Sequence, residues 1–562
     1  MNTLGAKHSA RITTFFSCVL SISILSYLYH PHVESHRQWS PALPVNYPVL
    51  TPFPPLRLPH ARPPLEDRLF HSTVIEDVIT EVTAKLSNSD LATMFENCFP
   101  NTLDTTIAFF DKNHSHPRTF VVTGDIPAMW IRDSTNQVTP YLRYASADPQ
   151  LKLLIKGVIN LQAASLVRFP YANAFKAPAD AHIGHVGYSP YPSVGDDGLI
   201  KNHPEGASGH SVLPPYDPSA VWESKYELDS LASFIKLSVA YYRSTGDTSH
   251  FYSAEWQKAM LAVLDVIVEE TRGTWESSAD FAEIGGEPWS GRWSVWKTGY
   301  RFMQSTKRPT ETLGQDGLGG VVRHCGLVKS AFRPSDDATT FPFLVPANAM
   351  LSAELNNVAT TLYSLTRMNP SGQPNVLLSI ATRSSQLSTS IRNAIYEYAV
   401  YNHPVFGPIF AYEVDGHGSM LFMDDANIPS LLALPYLGFL SKEDPIYKNT
   451  RAFILSEWNP WFFRGTGGSA GSFEGVGGPH VGRNMVWPMS LLVRILTSND
   501  REEVKIALEM IRGTTDGTGF IHESVHVNQA HIYTRKWFAW ANTLFGETIL
   551  YILEQWPDLL TT

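Results

Sequence analysis

Downstream of about residue 70, apolar residues return mostly at steps of three and four. In FYSAEWQKAMLAVLDVIVEE, residues 251–270, Trp256, Met260, Leu261, Leu264, Ile267 and Val268 fall on one face at helical pitch, which predicts an amphipathic helix. The same spacing predicts helices near 74–86, 150–167, 226–243, 347–366, 376–398, 485–496, 502–512 and 535–555. Between them lie long pieces rich in Gly, Pro, Asp and His, at 171–219, 290–337, 414–428 and 465–483. Long loops inside a compact body are uncommon and tend to carry function. Helices alternating with such loops predict an all-α fold, a closed barrel of helical hairpins with an inner and an outer ring. No fixed sequence repeat is visible.

The amino terminus breaks this pattern. Lys7 and Arg11 precede residues 13–29, TTFFSCVLSISILSYLY, which carry no charge. A basic flank before an apolar run marks an endomembrane signal, so residues 1–30 read as a signal anchor or signal peptide. The anchor is favoured because no small-x-small cleavage site follows. Residues 31–64 are proline-rich and read as an extended stem, leaving 65–562 as the folded body. The expected location is the secretory pathway, lumenal or secreted. Cys98 and Cys325, outside that segment, are left as one bridge or two buried thiols. Asn113-His114-Ser115 is an acceptor sequence for a glycan.

Composition narrows the function classes. With 43% hydrophobic and 17% charged residues the chain has material for a large core. A net charge of −10 without a long basic run gives no footprint for nucleic acid. The supply of Trp and Tyr suits core filling, and also flat platforms for sugar rings.

Four loop segments set carboxylates against apolar sequence: GDIPAMWIRDST (124–135), SAFRPSDDATTF (330–341), MLFMDDANIPSLL (420–432) and GTGFIHES (517–524). A carboxyl beside a dry wall is pushed up, whereas one beside an arginine stays ionised, and acid/base catalysis needs that division. Asp336 and Asp337 near Arg333, and Glu523 beside His522, fit it. Taken singly, each motif is better read as a helix cap or a structural ion pair. The glycine-rich run 465–478 lacks the Lys-Ser/Thr ending of a phosphate loop. The histidines show no H-E-x-x-H pattern and Ser134 sits in no G-x-S-x-G elbow, so no metal or cofactor is expected.

Together with KYELDSL (225–231), GGPH (477–480), WPMS (487–490) and KWFAWANTLFGE (536–547), these segments closely resemble the exo-alpha-1,6-mannosidases of glycoside hydrolase family 125, in collinear order from about residue 70 to the end. The resemblance implies an (alpha/alpha)6 barrel, removal of a terminal alpha-1,6-linked mannose from a glycan with inversion, and no metal. It is similar to fungal members in its amino-terminal segment, and 171–219 is longer than in bacterial ones. It implies a general acid in FRPSDDA and the base at Glu523. Between Asp336 and Asp337 the sequence does not choose, and Asp336 is taken as acid because similar helical-barrel glycosidases carry theirs at a comparable Asp. An inverting pair stands roughly 6.5–9.5 Å apart. Arg132, Asp133 and Ser134 are expected to hold sugar hydroxyls against a Trp130 wall, with Asp125 and Pro127 fixing the loop at a helix start. Asp229, Arg333, Asp337, Asp425, His480 and His522 are further expected contacts, each equally suited to bracing.

Two other readings stay open: a glycosidase for another alpha-linked sugar on the same barrel, and a glycan-binding protein without turnover. A pure binding protein has no need of two opposed carboxylates. Oligomeric state is not read from the sequence.

Overall fold

The computed structural model describes residues 54–113, 115–181, 210–276, 299–368, 374–466 and 473–561, all within one compact unit, Pro44–Thr562. The N-terminal apolar segment, residues 31–53 of the expected stem, His114 of the glycan acceptor, and residues 182–209, 290–298 and 467–472 of the long loops lie outside the described residues.

The longer helices are α1 (Thr73–Lys85), α2 (Ser89–Cys98), α3 (Ile131–Val138), α4 (Pro149–Arg168), α5 (Leu228–Thr245), α6 (Ala254–Glu269), α7 (Val345–Met368), α8 (Pro374–Tyr398), α9 (Pro445–Ile454), α10 (Pro488–Leu496), α11 (Arg501–Gly513) and α12 (Ala539–Gln555). Their packing closes a ring. Helix α3 packs on α5, α5 on α7, α10 on α12, and α12 back on α3. The outer layer follows the same order, with α4 on α6, α6 on α8, α11 against α10, and α2 against α12. This is the six-hairpin helical barrel, an all-α fold, and its last hairpin joins the two ends of the body. Ser87 N–H donates to the Leu560 carbonyl at 2.8 Å there.

Between α7 and α10 the inner position is filled by turns over 424–440 rather than a continuous helix. Pro429 and Pro435 cannot donate to a helical ladder. The Asp424 carboxylate instead accepts the Leu431 and Leu432 N–H groups at 2.8 and 2.9 Å. Tyr436 from this run donates to Glu547 on α12 and lies under Lys236 of α5.

Capping separates the two rings. The outer-ring helices α1, α2, α4, α6, α9 and α11 start at Ser72, Asn88, Asp148, Ser253, Asp444 and Asp500, whose side chains accept backbone N–H groups. Each such cap contributes about 1 kcal/mol. The inner helices α3, α5, α10 and α12 start at Trp130, Glu227, Trp487 and Phe538, and none has a side-chain cap. Short strands lead into this end: Met129–Trp130 before α3, Phe343–Leu344 before α7 and Met485–Val486 before α10. The inner-helix N-termini and these strands build the end of the barrel that carries the loops.

Nearly all buried apolar side chains form one core. A small separate cluster holds Ala128, Trp130 and Ala174, with half-buried Ile126 and Trp222 packed on it. Residues 54–64, the end of the proline-rich segment, lie on the body: Leu56 and Arg57 N–H groups donate to Asp90, and Arg62 reaches Glu76 and Asp104. Cys98 and Cys325 are free thiols. Among the described residues no helix is long and apolar enough to cross a membrane. The helix expected over 535–555 starts at Ala539, because Arg535 adopts a left-handed backbone with φ of 48°.

Candidate active site

The first turn of α3 supplies Arg132 and Asp133, held by a three-stranded sheet of Met129–Trp130, Ala174–Phe175 and Val221–Glu223. The third strand delivers the chain into α5. Extended backbone alternates its side chains, so Lys225, Glu227 and Asp229 are spaced to share a side as the chain enters the helix. Arg132 becomes the centre of this group. Its Nη1 donates to Glu227 Oε2 at 2.6 Å and Asp229 Oδ2 at 3.2 Å, and Nη2 lies 3.2 Å from Asp133 Oδ2. The guanidinium also lies over the Trp540 ring.

One cation for three buried carboxylates leaves them under-neutralised. Burial pushes Glu227 well above the ordinary carboxyl range, with Arg132 opposing and Asp229 and Asp336 adding to the rise. Burial likewise raises Asp133 and Asp229 against Arg132. Glu227 Oε1, Asp229 Oδ1 and Arg132 Nε are enclosed without a hydrogen-bond partner among the described residues.

Asp336 faces this group from the loop before α7. Its backbone is left-handed, with φ of 73°, a costly conformation for a residue with a Cβ. Arg333 N–H, which donates to the Asp337 carbonyl at 2.8 Å, and Asp336 N–H, which donates to the Arg333 carbonyl at 2.9 Å, close the turn that imposes it. Burial works to raise the Asp336 carboxyl, but Lys225, His480, Arg132 and Arg535 together hold it below the usual range. Lys225 is buried, 3.2 Å from Glu223, and stays charged because Glu223 and Asp336 outweigh the cost of burial. Asp337 turns the other way. Burial raises its carboxyl, and its Oδ2 is 3.8 Å from His480 Nδ1.

Glu523 stands at the head of the hairpin formed by Ser524–His526 and Gln529–Thr534. Thr534 Oγ1 donates to Glu523 Oε2 at 2.9 Å, and Arg535 Nη1 is 3.5 Å from Oε1. Arg535 also donates to both Asp125 oxygens and to the Thr123 carbonyl, so it ties the 123–128 loop to the Glu523 hairpin. Its charge acts on Asp133 and Asp336 as well.

The expected residues therefore divide. Arg132, Asp133, Asp229 and Asp336 share one electrostatic cluster, and Arg535 joins Glu523 to it. Trp130 is adjacent, in the small apolar cluster. Arg333 and Asp425 lie behind Asp337 as braces. Arg333 Nε donates to Glu413 Oε1 at 2.6 Å, and Asp425, pushed up to about 6 by burial, accepts from Ser335 at 2.6 Å. Gly478 has no side chain because a Cβ would stand 2.7 Å from Asp425 Oδ1. Ser134 and His522 depart from the expectation. The Ser134 hydroxyl donates back to the Trp130 carbonyl at 2.7 Å and accepts from Gln162. His522 is enclosed, stacked on Tyr533, with its ring nitrogens facing the Arg535 and Thr515 carbonyls, and burial lowers it to about 4. Both are held by the body rather than turned to a ligand. Asp125 pairs with Arg535 and does not start a helix. Lys225, Glu227 and Arg535 are site residues that the sequence reading did not single out. Among the described residues no group of three or more His, Cys, Asp or Glu is arranged to hold a metal.

Comparison with known proteins matches the same body. The family model described as metal-independent alpha-mannosidase, GH125, covers residues 88–550. The meiotically up-regulated gene 157 protein of Schizosaccharomyces pombe is 44% identical over 508 residues, 90% of this chain and 91% of that protein. A solved Streptococcus pneumoniae structure, described as a metal-independent alpha mannosidase in a non-productive complex with alpha-1,6-mannobiose, is 31% identical with a TM-score of 0.71, covering 86% of this chain and 99% of its own.

Proposed function

Because the chain belongs to the metal-independent alpha-mannosidases of glycoside hydrolase family 125, we propose that it removes terminal alpha-1,6-linked mannose from glycans with inversion, Asp336 being the acid and Glu523 the base. The observation that carries the reading is the convergence of Asp336 and Glu523, from loops far apart in sequence, on one charged cluster linked through Arg535. Support for the linkage comes from the alpha-1,6-mannobiose named for the streptococcal relative.

In this mechanism the Arg132, Asp133, Glu227 and Asp229 group accepts and donates to the hydroxyls of the terminal mannose. Fixing the sugar removes orientational freedom that would otherwise add to the barrier. Glu523 takes a proton from a water attacking C1 on the face opposite the leaving group. The C1–O bond breaks, Asp336 gives its proton to the leaving O6, and beta-mannose is released. Thr534 and Arg535 hold Glu523 in the orientation a base needs. The apolar segment 13–29 with its basic flank, together with the N-linked glycans named for the streptococcal relative, supports a location in the secretory pathway.

A second reading has one observation in its favour. Asp337 is raised by burial whereas Asp336 is held down against burial by Lys225, Arg132 and Arg535 with His480, so Asp337 is the better holder of a proton before substrate arrives. Loss of the acid penalises a poor leaving group far more than a good one. Asp336→Asn and Asp337→Asn, each compared on mannobiose and on an activated aryl mannoside, separate the two.

NMR of the purified protein acting on alpha-1,6-mannobiose, with alpha-1,2-mannobiose and an alpha-glucoside as controls, tests the function. Beta-mannose appearing first, from the 1,6 substrate alone, is the expected result. Alpha-mannose appearing first overturns the two-carboxylate inverting mechanism, and binding without release favours a glycan-binding protein.

A further inference from the structure

The His522 ring is fully buried and stacks on Tyr533 of the Glu523 hairpin, with ring centres 3.7 Å apart and planes 9° from parallel. Its two nitrogens face two backbone carbonyls: Nδ1 lies 3.0 Å from the Arg535 oxygen and Nε2 lies 3.2 Å from the Thr515 oxygen. Burial lowers the ring to about 4, so at neutral pH it is uncharged and carries one N–H. The Thr515 carbonyl already accepts the Thr518 N–H at 2.9 Å and the Thr518 hydroxyl at 2.7 Å, which occupies both of its lone pairs. The ring proton therefore belongs on Nδ1, from which it donates to the Arg535 carbonyl.

That carbonyl belongs to a residue in an uncommon conformation. Arg535 has φ of 48°, a left-handed backbone that a residue with a Cβ keeps only where its surroundings impose it. The His522 bond holds the turn at its own carbonyl, and the Phe538 N–H, donating to the Ile521 carbonyl at 2.9 Å, holds the chain three residues on. The turn decides where the guanidinium goes. Arg535 Nε donates to Asp125 Oδ2 at 3.2 Å and Nη2 to the Thr123 carbonyl at 3.2 Å, with the Phe538 ring 4.8 Å away, and this sets Nη1 3.5 Å from Glu523 Oε1. Thr534 Oγ1 holds the other Glu523 oxygen at 2.9 Å. A backbone relaxed to negative φ would send the side chain off in another direction. Glu523 would then keep Thr534 and lose its cation.

We infer that His522 is a positioning residue for the attack at C1: by bonding the Arg535 carbonyl it maintains the left-handed turn that sets the Arg535 guanidinium against Glu523. The inference rests on the mannosidase reading above, with Glu523 as base. His522 touches neither sugar nor water in this role and acts through Arg535 alone. Its bond to one particular carbonyl, rather than its bulk or its stacking on Tyr533, is what the reaction needs.

Two amides separate the two nitrogens. Asparagine carries its N–H2 on Cγ, where histidine carries Nδ1, whereas glutamine carries it one bond further out, where histidine carries Nε2. Both variants lose the stack on Tyr533, so they differ in which carbonyl they reach. His522→Gln is expected to lower kcat about ten- to a hundredfold, with KM within about threefold of the unaltered protein. The fall should be the same on alpha-1,6-mannobiose and on alpha-mannosyl fluoride, because fluoride leaves without a proton but water must still be activated. His522→Asn is expected to keep kcat within about threefold of normal, and melting curves of both variants report folding. A folded His522→Asn variant as slow as His522→Gln overturns the inference, as does a His522→Gln variant of normal kcat. A fall confined to mannobiose, or carried by KM, also overturns it, since either places the effect away from the base. If the unaltered protein turns over neither substrate, the mannosidase reading itself fails and this inference with it.

Discussion

Two buried ion clusters in this barrel use the same residue types to opposite ends. Around α10 and α11, Glu503 has both carboxylate oxygens 2.8 Å from Arg451 and one 2.7 Å from Arg494, whose Nη1 reaches Glu474 at 3.0 Å. Arg464 completes Glu474 at 2.7 Å. Three guanidiniums serve two carboxylates, and although burial works to raise Glu503, Arg451, Arg494 and Ser498 hold it below the ordinary range. At the other cluster one guanidinium, Arg132, serves Glu227, Asp229 and Asp133, and all three are raised. In the first arrangement each carboxylate is held by two arginines. The second retains Glu227 Oε1 and Asp229 Oδ1 without a hydrogen-bond partner among the described residues, which is the condition for binding hydroxyls. Charge ratio, more than burial or distance, separates a brace from a site here.

The largest expected effect belongs to the site. Glu523→Gln keeps size and Thr534 as a neighbour but removes the base proposed above, so kcat on mannobiose should fall about a thousandfold or more, with the melting temperature nearly unchanged. Activity of the purified variant within tenfold of normal would remove Glu523 from the role. The brace should answer in the opposite currency. Arg494→Met takes away the guanidinium that Glu474 and Glu503 share, leaving each with one arginine, and should cost about 3 kcal/mol of stability in urea unfolding. The surviving folded fraction should keep its specific activity. A loss of kcat in well-folded Arg494→Met would mean that the two clusters are coupled.

Acid should separate them next. Glu503 has a folded pKa below its unfolded value, so its contribution is present above the unfolded value and is lost as pH falls through the folded one. Glu227, Asp229 and Asp133 are raised, so their contribution is full below the unfolded carboxyl range and is lost as pH rises through the folded values. Melting temperature measured downward from about pH 5 should therefore fall less steeply in Glu503→Gln than in the unaltered protein. Equal slopes would show that the brace does not govern acid stability.

The same contrast explains what the sequence made legible. Long helices such as α6 and α8 have a wet face and a dry face, and their apolar period can be read directly. Helix α3, IRDSTNQV, is buried at all eight positions yet mostly polar, so it shows no such period. Helix α9 was missed for a different reason: it is short, and its start is marked by the Asp444-Pro445 cap pair rather than by its pattern. At the site, Arg132, Asp133, Asp229, Asp336 and Glu523 were readable because they stand in motifs of the resemblance. Lys225 and Glu227 lie in the same quoted KYELDSL, and their alternation with Asp229 was the signal that would have found them. Arg535 had no such signal, since a left-handed turn between a hairpin and α12 looks helical in sequence. Ser134 and His522 failed as ligands because their polar atoms bond within the body, which no motif reveals.

The smallest effect is also the one most particular to an under-neutralised cluster. Glu227→Gln keeps the shape and an acceptor for Arg132 while removing one of three crowded negative charges. Because the folded pKa of Glu227 is raised, its ionised form opposes folding at neutral pH, and the neutral amide removes that cost. The variant should gain up to about 1 kcal/mol of stability at pH 7 while losing mannosidase activity. The gain should vanish below the unfolded carboxyl range, where Glu227 is protonated in both states. Glutamine placed instead at Glu503 should lose stability at pH 7, because there the charge being removed is the one the arginines hold. Destabilisation by Glu227→Gln at neutral pH would mean that Arg132 needs all three carboxylates, and that the site is a closed brace after all.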